Sequence, residues 1–104
     1  MHAFDVLGDP VRRRILELIA DGERAAGDIG DVVQDEFGIT QPAVSQHLRV
    51  LKEAGLVRDQ AVGTRRIYEV DPEGFGQVRT WFESFWTDAL AAFKRAAEAE
   101  RSDT

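Results

Sequence analysis

The stretch Thr40–Val57, TQPAVSQHLRVLKEAGLV, decides the fold. Thr40 is a good helix cap, Pro42 is tolerated in a first turn because its missing N–H has no intrahelical partner there, and Gly55 closes the run. At about 100° per residue, Val44, Leu48 and Leu51 fall on one side with His47 on its flank, so that side faces a core. The opposite side carries Pro42, Ser45, Gln46 and Arg49, with Gln41 at the amino end. Short polar groups and amides suit base edges, and a guanidinium suits guanine or phosphate. Any solvated helix shows a polar face as well, and the helix taken alone leaves the two readings level.

The residues after the helix shift that balance. Glu53-Ala54-Gly55-Leu56-Val57 is a sharp helix-to-strand turn, and Leu56–Val62 and Thr64–Val70 are rich in β-branched and aromatic residues around Gly63, which predicts a two-stranded hairpin. Arg65 and Arg66 stand near its tip, where a wing reaches phosphates or the adjacent minor groove. Charges that keep an edge strand from aggregating are the plainer use of such arginines. Their neighbour in sequence, a helix with a base-reading face, favours phosphate.

Upstream, residues 2 to 7 predict a short helix with Phe4 and Leu7, and Asp9-Pro10 starts a second on which Val11, Ile15, Leu18 and Ile19 recur until Gly22. A third runs from about Ala25 through Ile29, Val32, Val33 and Phe37 to Gly38, without a capping side chain and weakened by Gly27 and Gly30. Downstream, Asp71-Pro72 opens a last helix whose Val78, Trp81, Phe82, Phe85, Trp86, Leu90 and Phe93 form a wide apolar stripe, before a polar tail at Arg101 to Thr104. The expected fold is mainly α with a small β-hairpin wing, in the order α-α-α-α-β-β-α. A stripe this broad exceeds what one side of a small domain covers. Phe4, Leu7, Trp81, Phe82, Phe85, Trp86 and Phe93 are therefore the expected two-fold dimer interface, where one patch meets itself.

Composition bounds the function. The 104 residues suit one domain, 43% are apolar, and two Trp and six Phe supply enough surface to bury a core. No apolar run reaches the roughly 20 residues that span a bilayer and no secretory pattern opens the chain, which predicts a cytoplasmic protein with no membrane partner. With no cysteine, disulfides, thiolate metal sites and thiol redox sensing are excluded. A net charge of −6 argues against a nucleic-acid partner until its distribution is considered. Between Thr40 and Val70, five cations (Arg49, Lys52, Arg58, Arg65, Arg66) face three carboxylates (Glu53, Asp59, Glu69), a local +2 that leaves −8 for the rest. A basic segment sits inside an acidic protein.

Leu7-Gly8-Asp9-Pro10-Val11-Arg12-Arg13-Arg14-Ile15-Leu16, taken with Gln41 to Val57, resembles the ArsR (ArsR/SmtB) family of repressors, and the likeness covers residues 4 to about 70. The resemblance implies a dimeric winged helix-turn-helix that occupies double-stranded operator DNA and blocks transcription, often of its own operon. It places Gln41, Ser45, Gln46 and Arg49 where the family reads DNA, and Arg65 and Arg66 on the wing; Pro42, on the same helix face, joins them as an expected DNA-binding residue. Recognition helices about 34 Å apart then address successive major grooves, and the operator is expected to be an inverted repeat.

This chain departs from the metal sensors of that family, which carry cysteines in the third helix or His and carboxylates on the last. It has neither Cys nor any His after His47, so no metal and no cofactor are expected. His2 is read as solvated and His47 as a packing or hydrogen-bonding residue. Acidic residues on the last helix without His company are read as solvated rather than as a hard-cation site. The segment Gln34–Phe37 is read as lengthening the connection before the recognition helix, as in the non-metal branch. An enzyme fails on inventory, with no Ser/His/Asp arrangement, no phosphate-cradling Gly motif after a strand and no cleft for paired carboxylates. The alternatives left open are a winged helix turned protein-interaction module and an activator in place of a repressor. An unknown small-molecule effector and constitutive autorepression are both compatible with the residues.

Overall fold

The computed structural model describes residues 3–102. Its elements run α1 (Ala3–Leu7), α2 (Pro10–Ile19), β1 (Arg24–Ala25), α3 (Ala26–Phe37), α4 (Gln41–Glu53), β2 (Val57–Val62), β3 (Arg65–Val70) and α5 (Pro72–Ser102). The architecture is a mainly helical winged fold with a small antiparallel sheet, as expected. His2 and the last two residues of the expected tail lie outside the described residues.

The starts of α2 and α4 have a local cause. Asp9 caps α2, its Oδ1 accepting from the backbone N–H of Val11 at 2.8 Å and Arg12 at 3.2 Å. Burial pushes the Asp9 carboxyl up. The backbone N–H groups of Arg12 and Val11, then the charges of His47 and Arg12, outweigh that and hold it below its ordinary value. Thr40 Oγ1 accepts from Ala43 N at 3.3 Å to cap α4. The α3 start at Ala25 has no side-chain cap. Ala25 belongs instead to β1, a two-residue strand that pairs with β3 (Arg24 with Tyr68, Ala25 with Ile67) and gives the sheet the order β1-β3-β2. Two residues carry no periodicity, so this strand left no mark in the sequence.

Two other expectations change. Residues Gln34–Phe37 do not lengthen a loop; they are the last turn of α3, which ends only at Gly38 in the left-handed conformation (φ 65°), with Gly38 N donating to Gln34 O at 2.9 Å. Arg14 of α2 holds that turn by bonding both oxygens of Glu36, at 2.9 and 3.0 Å. Similarly, Arg101 and Ser102 continue α5 rather than forming a tail.

The core is aliphatic. Val6, Ile15, Ile19, Ile29, Val33, Val44, Leu51 and Leu56 are the largest fully buried side chains. Burying each contributes about 1.5–3 kcal/mol. The Trp and Phe counted on to fill this core do not enter it: Phe75 is half-buried, and Phe4, Phe37, Trp81, Phe82, Phe85, Trp86 and Phe93 are exposed. Leu7 is partly buried against the core edge.

α5 joins this body at one tight point. Asp71 N donates to Leu56 O at 2.9 Å, and Gly74 lies so close to the α4–β2 turn that a Cβ on it would fall on the carbonyl oxygen of Gly55 and 2.7 Å from its carbon. Gly76, two residues on, has nothing within 4 Å of that position. Gly74→Ala is therefore expected to lower stability by about 2 kcal/mol, on the order of 10 °C in Tm, whereas Gly76→Ala raises it slightly by removing helical glycine entropy. Thermal denaturation of both variants beside the parent checks the pair.

Candidate nucleic-acid interface

Burial of Val44, Leu48 and Leu51 sets the rotation of α4 about its axis and turns Gln41, Pro42, Ser45, Gln46 and Arg49 to the surface. Two contacts hold the helix in that rotation. On one flank the half-buried His47 has its Nδ1 3.4 Å from Arg12 Nη1, and Arg12 Nε donates to Val6 O at 2.8 Å. His47 thus links α4 to α2 through Nδ1, which faces a guanidinium that can only donate. At the amino end Gln34 Nε2 donates to Gln41 Oε1 at 2.9 Å, which leaves the Gln41 amide N–H groups free to donate.

The wing brings its own cations beside this face. β2 and β3 pair from Val57–Val70 to Val62–Arg65 around the Gly63-Thr64 turn. Because successive strand residues point to opposite faces, Arg65 and Arg66 diverge. Arg66 shares its face with Tyr68 and with Asp59, the cross-strand partner of Tyr68, and that face looks toward α4. Gln41, Ser45, Leu48, Arg49 and Lys52 of α4, Arg66 and Tyr68 of β3, and Ala26 line one groove of about 310 Å³. Arg65 lies elsewhere, its Nη2 3.1 Å from Asp28 Oδ2 in the first turn of α3. Of the seven nominated residues, four therefore line the groove, Pro42 and Gln46 stand exposed beside it on α4, and Arg65 is held by α3.

Sequence reasoning passed over three residues here. Lys52 lies one helical turn beyond Arg49 and its Nζ is 2.8 Å from Asp59 Oδ1. Asp59, with a side chain only 7% accessible, also meets Arg66 Nη1 at 3.5 Å through Oδ2. Tyr68 completes the wall. The available signal was the inward strand register that begins at Val57 and puts Asp59 two residues on, facing the helix. No carboxylate among the described residues pairs with Arg49. Three cations against one carboxylate make the groove electropositive within a chain of net charge −6. Among the described residues no three His, Cys, Asp or Glu side chains converge as a metal site would require.

A recognition helix with its polar face outward, followed by a hairpin that lays an arginine beside it, is the geometry of winged-helix regulators. The family described as bacterial regulatory protein, arsR family, matches residues 9–59. The HTH-type transcriptional regulator Rv2034 of Mycobacterium tuberculosis is 42% identical over 103 residues, spanning 99% of this chain and 92% of that protein. The chain belongs to the ArsR family. A second relative, the transcriptional repressor SdpR of Bacillus subtilis, is 32% identical over 81% of this chain and 89% of its own length. Among solved structures, a possible transcriptional regulator for arsenical resistance superposes with a TM-score of 0.67 at 41% identity, covering 85% of this chain and 91% of its own. The homodimeric winged helix-turn-helix DNA-binding domain Mb0332 of Mycobacterium bovis superposes with a TM-score of 0.61 at 29% identity, covering 83% of this chain and 76% of its own. As an ArsR-family member the chain is a transcriptional regulator, and among its described residues no helix is long and apolar enough to cross a membrane.

Tyr68 reports on this wall. Burial, and secondarily the Asp59 carboxylate, push its phenol above the ordinary 10.0, with Lys52 and Arg66 pulling the other way. It is the single tyrosine of the chain, so ultraviolet difference titration observes it directly. The midpoint is expected above 10.0, and Asp59→Asn is expected to lower it without abolishing the part due to burial.

Proposed function

We propose that this ArsR-family chain is a transcriptional repressor that binds an inverted-repeat operator as a homodimer and acts on its own operon. The observation that carries the reading is the groove in which Gln41, Ser45, Arg49 and Arg66 meet between recognition helix and wing. Gln41, Ser45, Gln46 and Arg49 would read base edges in the major groove, with Pro42 against the sugar or a thymine methyl. Arg66 would meet phosphate beside the helix, and Arg65, once released from Asp28, phosphate nearer the wing tip. The repressor SdpR and the homodimeric Mb0332 domain support the sign of regulation and the assembly. Such work belongs in the compartment that holds the chromosome, the cytoplasm. The absence of cysteine, and of any histidine after His47, supports a regulator outside the metal-sensing branch.

Dimerisation rests on α5. Its 31 residues extend about 46 Å, and Phe75 and Val78 near its start pack against the core. Beyond them Trp81 meets Phe4 edge-on at 4.9 Å and stacks on Phe85 at 5.4 Å, while Phe82 stacks on Trp86 at 6.4 Å. Each of these five is roughly half exposed, except Phe4 at 38%, and Phe93 farther along is 75% exposed. They leave on the order of 500 Å² of aromatic surface in water, a patch at the upper end for a monomer. A helix this long with such a face is stable when a second copy covers it.

Selection of bound duplexes from a random pool is expected to return an inverted repeat that also occurs upstream of the chain's own gene. Binding should weaken steeply with salt, and Arg49→Ala should cost about 1–3 kcal/mol, roughly 5- to 150-fold in Kd. Recovery of no preferred sequence would sink the operator claim and bring forward a protein-interaction role. For assembly, sedimentation is expected to give a dimer, and Phe85→Glu a monomer that has lost operator binding; a parent that sediments as a monomer refutes the two-fold interface.

A further inference from the structure

Asp59 is the most buried ionic group of the interface, and no catalytic or metal chemistry explains it. Its carboxylate is 7% accessible, yet both partners are about half exposed, Lys52 at 54% and Arg66 at 53%. Each oxygen serves a different cation, Oδ1 at 2.8 Å from Lys52 Nζ and Oδ2 at 3.5 Å from Arg66 Nη1. A carboxylate taken out of water needs such partners, whereas two exposed cations need no carboxylate. The group is therefore anchored from the inside, and the cations project outward from it.

We infer that Asp59 is a positioning residue for DNA binding, which holds Lys52 and Arg66 side by side on the groove wall so that Lys52, with Arg66, contacts a backbone phosphate. The inference rests on the operator-binding reading and extends it to residues outside the recognition set. Without Asp59 the two like charges would repel, and each long side chain would range over many rotamers. Tethered to one carboxylate, they meet the phosphate already placed, and less freedom is lost on binding. Donors remain for this purpose, because an ammonium carries three N–H groups and a guanidinium five, and one contact each is spent on Asp59. The trio keeps a net charge of +1 beside Arg49, so the field at the groove stays attractive. The carboxylate also reduces attraction for DNA of any sequence, so Asp59 raises the contrast between operator and other DNA.

The test measures Kd for the selected inverted repeat and for a random duplex, across a salt series, with the parent, Asp59→Asn and Lys52→Gln. Asp59→Asn removes a negative charge yet releases both cations. The expected result is a few-fold tighter hold on random DNA and at least fivefold weaker binding to the repeat, a tenfold or greater loss of discrimination. If both affinities rise together, Asp59 is only a repelling charge; if neither moves, it only staples the wing to α4. Either result overturns the proposal. Lys52→Gln sits at an exposed position and decides the matter even if Asp59→Asn fails to fold. Two copies per dimer should lower the log–log salt slope by about 2. An unchanged slope overturns the phosphate contact. Should the parent itself show no preference for the repeat, the underlying operator reading fails before any variant is compared, and this proposal fails with it.

Discussion

Burial of one side of α4 is the constraint on which the rest depends. Val44, Leu48 and Leu51 are 4% accessible or less and cannot leave the core without exposing aliphatic surface at about 25 cal/mol per Å². A helix so seated cannot rotate, which makes the direction of Gln41, Ser45, Gln46 and Arg49 a consequence of packing rather than of their own contacts. Its end is equally determined: Leu56 N returns to Leu51 O at 3.1 Å, and Leu56 and Val57 enter the same core, so the wing leaves α4 at a defined angle. β1 and the Arg65–Asp28 pair attach the wing to the start of α3 from the other side.

Around that frame, charge acts locally. An acidic chain can present a basic groove because screening confines exposed charges to about 8–10 Å in physiological salt. The carboxylates of the wing and of the α3 start are each engaged: Asp59 with Lys52 and Arg66, Asp28 with Arg65, Glu69 with Arg58 at 2.8 Å. Arg49 is left without such a partner among the described residues, at the centre of the recognition face. Surface pairs such as Asp28–Arg65 contribute little to stability, roughly 0–1 kcal/mol, and so yield readily to a stronger anion.

The division between aliphatic core and aromatic exterior links fold to assembly. A body closed by Val, Ile and Leu leaves its largest apolar side chains along α5 and at Phe4, where a second copy can take them up. Gly74 bears on this too, since the contact of α5 with the Gly55 carbonyl sets the angle at which that helix departs. In the proposed dimer the spacing of the two recognition helices would therefore depend on a glycine packed against the turn that ends α4.

The sequence by itself determined the elements whose cause is periodic or local. α2, α4, the hairpin and α5 were legible because their apolar spacing, caps and turn glycines act within a few residues, and the outward face of α4 followed from the same spacing. Only the tertiary structure decided what depends on two distant segments meeting. β1 exists because Ala25 finds Ile67, Arg14 of α2 meets Glu36 on the last turn of α3, and Arg65 and Arg66 part because the sheet puts α4 on one face and α3 within reach of the other. The burial of Asp59 and the need for glycine at 74 belong to the same class. A chain's hydrophobic pattern states which face of each element must be covered, and it is silent on which partner covers it, because that choice is made by packing over the whole core.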